Sequence, residues 1–298
     1  MNSIDPLLPN FVIIGAQKSA STYLSEALRQ HPSIYLPPQE VRYFEDPEYT
    51  PDDIGPLKTL FQKRREPLKG IKRPDFLARS EVPARIRRHV PDAKLLVVLR
   101  EPVARLISAY YFYIKMGFLP PVHINRGLPS ILDDSASVSS RAAELVEYGR
   151  YATHLERYRE YFPSSQVLVL LQDEISTEPQ EALRKVYKFL GLPEERRLPK
   201  VARDNSGLYS IPRLRLLTQR NRFVCSYDSS KKIEITYSPS RYFAAASITA
   251  LDRYVLARFI DNEKPKLDPA LHARLKTLYR PELNRLEHML KCDLADWK

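Results

Sequence analysis

A glycine, a lysine and three hydroxyl side chains stand close together near the start of the chain, in the segment Gly15-Ala-Gln-Lys-Ser-Ala-Ser-Thr22. An apolar run, Phe-Val-Ile-Ile, comes directly before the segment, and a helical pattern of apolar residues follows it. Backbone N–H groups in a tight turn, together with the N-terminus of a helix, attract anions. Because Lys18 adds a positive charge to such a turn, the segment predicts a phosphate-binding loop.

The elements that must position this loop follow from the apolar pattern. Short apolar runs predict five strands, at residues 10–14, 33–36, 70–72, 94–99 and 167–171. Helical spacing predicts helices after residues 21, 102, 151 and 183, which alternate with the strands. This alternation predicts an α/β fold with a central parallel sheet of about five strands, flanked by helices on both faces.

We expect a single domain over residues 1–298, with an α/β core at 10–200. The Pro-, Asn-, Ser- and Arg-rich residues 201–250 predict an irregular lid or insertion, and residues 251–298 predict C-terminal helices.

Composition excludes several classes of protein. The chain has 298 residues, 43% of them hydrophobic and 28% charged, as globular proteins do. Its apolar runs are far shorter than the roughly 20 residues of a membrane-spanning helix. Its first residues do not resemble a signal peptide, and Cys225 and Cys292 show no disulfide or metal-binding spacing. We therefore expect a soluble, cytoplasmic protein with no membrane partner and no metal.

Two other functions remain open. The first is nucleic-acid binding, which the net charge of +11 and the Lys- and Arg-rich span 58–88 allow, although no signature of a known nucleic-acid-binding domain is present. The second is a P-loop kinase or NTPase, since the first turn resembles a P-loop. The Walker pattern requires glycine and lysine where this chain has Ala20 and Ser21, and Arg100 stands where an acidic residue would organise magnesium. These departures favour a ligand with a second phosphate and without a metal.

The chain resembles the PAPS-dependent sulfotransferases, which transfer a sulfuryl group from 3'-phosphoadenosine 5'-phosphosulfate (PAPS). The segment GAQKSASTYL (15–24) is similar to the family's 5'-phosphosulfate loop, and LLVVLREPVARLISAYYFY (95–113) to its 3'-phosphate strand and helix. The segments PPQEVRYFED (37–46) and IKRPDFL (71–77) extend the similarity, and the former is closer to the heparan-type and bacterial branches than to the cytosolic phenol-type branch. The resemblance implies a three-layer P-loop-like fold, with PAPS as co-substrate and 3',5'-adenosine bisphosphate (PAP) as product.

The resemblance also implies roles for individual residues. Lys18 would stabilise the negative charge that grows on the bridging oxygen as the S–O bond breaks. Lys72 would be a second cation near the sulfonate. Arg100 and Ser108 would bind the 3'-phosphate. The 5'-phosphate would bind the backbone and hydroxyls of the loop, at Gln17, Lys18, Ser19, Ala20, Ser21 and Thr22. We expect weaker contacts from the lid, at Arg203, Asn205 and Ser206.

Glu40 would be the general base, as in the heparan-type branch, because Pro74 stands where the phenol-type branch has a catalytic histidine. From spacing alone, a structural salt bridge of Glu40 is an equal alternative, since Arg42, Glu45 and Asp46 are close in sequence. Ala20 also replaces a glycine that is common in the family's loop. We expect the acceptor to be a saccharide or a small natural product carrying a hydroxyl or an amine.

Overall fold

A five-stranded parallel sheet forms the centre of the fold. The computed structural model describes residues 5–133, 140–193, 207–227, 233–235 and 238–298. The sheet has the order β2-β3-β1-β4-β5 and consists of Phe11–Gly15 (β1), Ile34–Tyr35 (β2), Leu68–Lys72 (β3), Lys94–Leu99 (β4) and Val167–Leu171 (β5). The predicted α/β class and all five predicted strands are confirmed.

The central strands are buried on both faces, which explains their uninterrupted apolar sequence. Phe11 pairs with Gly70 of β3 and with Lys94 of β4. A Cβ atom on Gly70 would lie 2.1 Å from the Phe11 ring, so only glycine allows these two strands to approach. All strands run in the same direction, and the ends of β1, β3 and β4 therefore bring Gly15, Lys72 and Arg100 to one edge of the sheet.

Thirteen α-helices are described around and beyond the sheet. They are Ser21–Arg29 (α1), Gly55–Thr59 (α2), Val82–His89 (α3), Pro102–Met116 (α4), Ile124–Asp133 (α5), Ser140–Glu147 (α6), Tyr151–Tyr161 (α7), Gln172–Thr177 (α8), Pro179–Leu190 (α9), Ile211–Val224 (α10), Pro239–Ala250 (α11), Ala257–Phe259 (α12) and Pro269–Leu290 (α13). A π-helical turn, Leu251–Leu256, connects α11 to α12. Within the described residues, no helix is both long enough and apolar enough to cross a bilayer.

The chain forms two compact units. The first contains residues 1–102, 150–204 and 279–298, and it includes the whole parallel sheet. Its core packs β1, β4 and β5 against α1 and α9, through residues such as Ile13, Leu28, Val98 and Val186. The second unit contains residues 103–149 and 205–278 and is mainly helical.

Residues 201–250, which the sequence predicts to be irregular, contain two long helices, α10 and α11. Their prolines lie in the first turn of each helix, where proline fits because its missing N–H has no partner there. In α10, Leu214, Leu217 and Asn221 are buried along one face. The proline and arginine content therefore suggested irregular structure, whereas the prolines mark the starts of helices and several of the arginines face solvent. A short antiparallel hairpin pairs Cys225–Tyr227 (β6) with Ile233–Ile235 (β7).

Candidate active site

The loop between β1 and α1 has the backbone of an anion-binding turn. The Ala16 N–H donates to the Val98 carbonyl at 2.7 Å, which ties the loop to the end of β4. Lys18 and Ala20 both adopt left-handed conformations, with φ of 65° and 68°. Helix α1 begins at Ser21 without a side-chain cap from Ala20. Its first N–H groups thus have neither an intrahelical partner nor a cap, and they are suited to binding an anion.

Side chains of the loop fit a phosphate as well. Ser19 is fully buried, and its hydroxyl has no hydrogen-bond partner among the residues that the structure describes. A buried hydroxyl without a partner is costly, and a phosphate oxygen would satisfy it. Gln17 has a different position, because its Nε2 donates to Asp75 Oδ1 at 3.0 Å and so anchors the loop to the end of β3.

Lys72, at the end of β3, connects the loop to the proposed base. Its ammonium lies 3.4 Å from Thr22 Oγ1 and 3.7 Å from Glu40 Oε1. The side chain of Lys72 is only 6% exposed, whereas that of Glu40 is 38% exposed. Burial lowers the pKa of Lys72, and the charge of Glu40 partly opposes this shift. The structure therefore brings three predicted site residues together, at distances that allow a proton acceptor beside a phosphate-binding loop.

Arg73 is a central residue of this site that sequence analysis missed. Its guanidinium contacts three carboxylates: Glu40 at 2.7 Å, Glu45 at 2.8 Å and Asp75 at 2.8 Å. Burial lowers the pKa of Arg73, but these three charges outweigh burial and raise it overall, so the guanidinium is permanently charged. Glu45 and Asp75 are themselves buried. The only sequence signal was a charged residue directly after a buried strand, at the edge where ligands bind in such sheets.

Glu40 thus forms an ion pair, as the alternative hypothesis proposed, but its strongest partner differs from the one suggested by spacing. Arg42, two residues away, contacts Glu45 at 2.5 Å instead. Arg73 Nη1 donates to Glu40 Oε2, which orients the carboxylate, while Oε1 faces Lys72. The Glu40 carboxylate is paired with Arg73 but remains partly exposed to solvent. An acceptor could therefore reach it, and the ion pair is compatible with a catalytic role.

Two hydrogen bonds fix Arg100, one through its side chain and one through its carbonyl. Its Nη1 donates to the Lys18 carbonyl at 3.3 Å, and the Tyr151 hydroxyl donates to the Arg100 carbonyl at 2.9 Å. Ser108 is buried in α4 and belongs to the second compact unit, so its pairing with Arg100 stays a prediction. The predicted lid contacts Arg203, Asn205 and Ser206 lie outside the described residues.

Many cations in the basic span 58–88 have intramolecular partners. Lys58 pairs with Asp5 at 2.7 Å and Arg88 with Asp52 at 3.3 Å. Arg64 lies over the Tyr35 ring, with its guanidinium carbon 4.1 Å from the ring centre. This part of the net charge has a structural use, which weakens the argument for a nucleic-acid groove. Among the residues that the structure describes, no cluster of His, Cys, Asp and Glu is suited to a metal ion.

Comparisons with known proteins agree with this geometry. A family model described as a sulfotransferase domain matches residues 8–206. The chain is 30% identical over 191 residues to heparan sulfate glucosamine 3-O-sulfotransferase 5 from Homo sapiens, which covers 62% of this chain and 54% of that protein. It is 32% identical over 190 residues to heparan sulfate glucosamine 3-O-sulfotransferase 3B1 from Mus musculus, covering 62% and 46%. The chain therefore spans about half the length of these curated relatives.

A solved structure supports the fold. The crystal structure of a sulfotransferase from Alicyclobacillus acidocaldarius matches with a TM-score of 0.68 and 22% identity, over 97% of this chain and 98% of that chain. This likeness confirms the P-loop-like architecture predicted from the motifs. The family model covers more than half of the chain and includes the loop, Glu40, Lys72 and Arg100. The chain therefore belongs to the sulfotransferase family.

Proposed function

We propose that the protein transfers a sulfuryl group from PAPS to a hydroxyl or amine of an acceptor and releases PAP. The observation that carries this proposal is the chain of contacts from the loop to the base candidate. Thr22 of the loop lies 3.4 Å from Lys72, and Lys72 lies 3.7 Å from the Glu40 carboxylate. Direct transfer requires this order: a site for the donor phosphate, a cation, and a proton acceptor beside it.

In the proposed reaction the acceptor oxygen or nitrogen attacks sulfur in line with the leaving group. A new bond to sulfur forms while the bond from sulfur to the bridging phosphate oxygen breaks. The acceptor proton passes to Glu40, and the electron pair of the broken bond stays on PAP. Lys18 stabilises the bridging oxygen as its charge grows, and Lys72 stabilises the sulfonate oxygens. Because the charge on the bridging oxygen grows during the reaction, Lys18 acts mainly on the transition state.

Arg73 supports the proposed base by fixing its direction. It binds one oxygen of Glu40 at 2.7 Å and is held in turn by the buried Glu45 and Asp75. Asp75 also accepts the hydrogen bond that anchors Gln17 of the loop. One network of charges thus links the orientation of Glu40 to the position of the donor loop.

A saccharide is the acceptor class that we favour, because the curated relatives are named for glucosamine residues of heparan sulfate. A relative named for N-sulfotransfer, the human bifunctional heparan sulfate N-deacetylase/N-sulfotransferase 2, is 29% identical over 206 residues, covering 62% of this chain and 22% of that protein. Both hydroxyl and amine acceptors therefore remain in the proposal. A small natural product as acceptor and a cytoplasmic location remain predictions from the sequence.

The test is calorimetric titration of PAP, 5'-AMP and ATP without magnesium, into the wild type and Arg100→Ala. We expect PAP to bind more tightly than 5'-AMP, because Arg100 contributes charge-assisted contacts to the 3'-phosphate. Arg100→Ala should remove this preference. The matched control is Arg88→Ala, since Arg88 is an exposed arginine of the same unit with a weak surface pair.

Equal affinity for PAP and 5'-AMP would contradict the assignment of a PAPS site. A requirement for magnesium together with a preference for ATP would favour the kinase or NTPase hypothesis. Loss of the preference in both arginine variants would show a general effect of charge instead of a specific contact.

A further inference from the structure

The helical segment Pro239–Phe259, formed by α11, the π-helical turn and α12, exposes large apolar side chains to solvent. Six of them form what we call the apolar face: Tyr242 (69% exposed), Phe243 (74%), Leu251 (44%), Tyr254 (60%), Val255 (43%) and Phe259 (81%). Single exposed apolar residues are normal, but a contiguous group on one element marks an interaction surface. In the described residues, only two other large apolar side chains are exposed, Tyr161 and Phe223.

The segment packs on the rest of its unit along a narrow stripe. Ala245 and Asp252 are its only buried residues. In α11, Phe243 lies on the side of the helix opposite Ala245, whereas Tyr242, one turn before Ala245, lies at the border of the buried stripe. The large exposed side chains therefore lie outside the buried stripe of the segment.

Polar groups near this face are satisfied within the helix. The Ser247 hydroxyl donates to the Phe243 carbonyl at 3.0 Å, and the Thr249 hydroxyl donates to the Ala245 carbonyl at 2.8 Å. Backbone groups of the segment are paired along the helix in the same way. These two hydroxyls therefore need no partner outside the protein.

The exposed charges of the segment itself have a single sign. Arg241, Arg253 and Arg258 are exposed on the segment. Asp252 is the only acid between Pro239 and Phe259, and it is 7% exposed in a bidentate pair with Arg213 of α10, at 2.8 and 3.0 Å. Helix α10, which packs against α11, adds the exposed arginines Arg215 and Arg222 and has no acidic residue. The next acids along the chain, Asp261 and Glu263, come after the helical segment ends.

An apolar face bordered by arginines suits one class of partner best. A second copy of this chain would bring the same arginines against each other, and that repulsion opposes self-association. A nucleic acid or a sulfated saccharide would bind the arginines but leave Phe243, Leu251 and Phe259 in water. An anionic lipid bilayer satisfies both features, because apolar side chains enter the headgroup boundary while arginines bind lipid phosphates.

We propose that the segment Pro239–Phe259 docks the protein on the surface of an anionic lipid bilayer. This inference goes beyond the proposed sulfuryl transfer and does not depend on it. It also departs from our sequence-based expectation of no membrane partner, which considered only helices that cross a bilayer. A helix that lies in the interface needs no long apolar run.

The test is flotation of the full chain with vesicles of phosphatidylcholine alone and of phosphatidylcholine with about one third phosphatidylserine, at about 0.1 M salt. We expect binding to the anionic vesicles and little binding to the neutral ones. The double variant Phe243→Ser with Phe259→Ser should weaken binding at least tenfold, because two exposed aromatic anchors are removed. Arg253→Gln with Arg258→Gln should weaken binding to anionic vesicles by about tenfold or more.

A protein with a charge of +11 could adhere to anionic vesicles anywhere on its surface. The matched control is therefore Arg88→Gln with Arg184→Gln, which removes the same charge from exposed sites of the other unit. Tyr161→Ser is the control for an exposed aromatic residue. Both controls should bind vesicles as the wild type does, and thermal unfolding should show that all variants are folded.

Equal losses in the arginine variant and its control would overturn the proposal, as would unchanged binding in the double phenylalanine variant. Absence of wild-type binding to anionic vesicles would also overturn it. If the protein self-associates without vesicles and the phenylalanine substitutions abolish that association, the face binds a second copy, and the proposal is wrong.

Discussion

The edge of the sheet and the segment Pro239–Phe259 are both rich in positive charge, but their cations have opposite surroundings. At the edge of the sheet, Lys72 and Arg73 are largely buried and lie among Glu40, Glu45 and Asp75. On the helical segment, the arginines are exposed around apolar side chains, and the one acid is turned inward. Buried charges need partners within the protein at fixed distances, whereas exposed charges are solvated by water and are available to bind another molecule.

This difference predicts where substitutions are costly. At the edge of the sheet, one substitution disturbs several ion pairs and the chemistry that depends on them. On the helical segment, replacing an exposed arginine or phenylalanine should change what the surface binds and leave folding almost unaffected.

The largest expected effect is on catalysis, in Glu40→Gln. If Glu40 accepts the proton of the acceptor, its loss should lower kcat about 10²- to 10⁴-fold. The affinity for PAP should remain, since the loop residues are unchanged. Steady-state transfer rates and PAP titrations measure the two effects separately. The control is Glu181→Gln, which alters an exposed pair with Arg184 and should keep full activity.

A fully active Glu40→Gln would place the base elsewhere and leave Glu40 with the purely structural role of an ion pair with Arg73. In that case the edge of the sheet would still bind the donor, but its charge network would serve only stability.

Arg73→Gln should have the largest effect on stability. It leaves Glu40, Glu45 and Asp75 without the guanidinium that they share, and two of these carboxylates are buried. Removing one partner of a buried ion pair costs about 3–5 kcal/mol. Urea denaturation measures the loss in the free energy of unfolding. Arg88→Gln breaks an exposed pair and should cost less than about 1 kcal/mol.

Similar losses in the two arginine variants would contradict the contrast between buried and exposed charge. They would mean that water or neighbouring residues replace the lost guanidinium for the three carboxylates as easily as they do for Asp52.

Lys18→Ala should lower kcat by about 10²- to 10³-fold, the usual effect of removing one donor to a developing negative charge. The affinity for PAP should fall much less, because the contact strengthens only as the leaving group gains charge. Comparison of kcat with the PAP dissociation constant tests this. Equal losses in both quantities would assign Lys18 to binding alone.

The pKa of Lys72 predicts how donor binding depends on pH. Burial lowers this pKa, so the ammonium loses its charge at a lower pH than an ordinary lysine does. The affinity for the donor PAPS should therefore fall as the pH rises, before the usual lysine pKa of about 10.4 is reached. Glu40→Gln removes a charge that raises the pKa of Lys72, so the fall should move to lower pH.

Lys72→Arg is the control for this pH dependence, because a guanidinium stays charged over the whole range. Titrations of PAPS from neutral to alkaline pH should show a fall in affinity in the wild type and a nearly constant affinity in Lys72→Arg. The same fall in both proteins would assign the titration to another group.

The sequence was sufficient for those parts of the molecule that depend on local pattern. Apolar runs predicted all five strands, and the turn from Gly15 to Thr22 predicted the anion-binding loop, because both signals lie within a few consecutive residues. The Arg73 network was not predicted, since Glu40 and Arg73 are 33 residues apart and their contact has no local spacing. Helices α10 and α11 were not predicted because few of their residues are buried, so neither shows a clear apolar stripe, and α10 is also rich in arginine.

The smallest predicted effect is a change in stability when alanine is replaced by glycine, once in each of the two regions. Ala20 has a φ of 68°, a left-handed conformation that costs a residue with a Cβ atom about 1–2 kcal/mol and costs glycine nothing. Ala20→Gly should therefore raise the free energy of unfolding, by at most about 1 kcal/mol, because the more flexible unfolded chain offsets part of the gain.

Ala246→Gly changes an exposed alanine in the middle of α11, where glycine destabilises a helix by about 1 kcal/mol. In urea denaturation, the free energy of unfolding should thus rise in Ala20→Gly and fall in Ala246→Gly, although both variants replace alanine with glycine. Destabilisation by both substitutions would mean that the loop does not hold Ala20 in a left-handed conformation in solution. Opposite signs would show that the loop keeps a strained backbone at the position where it is proposed to bind phosphate, which a protein retains when the strained geometry has a function.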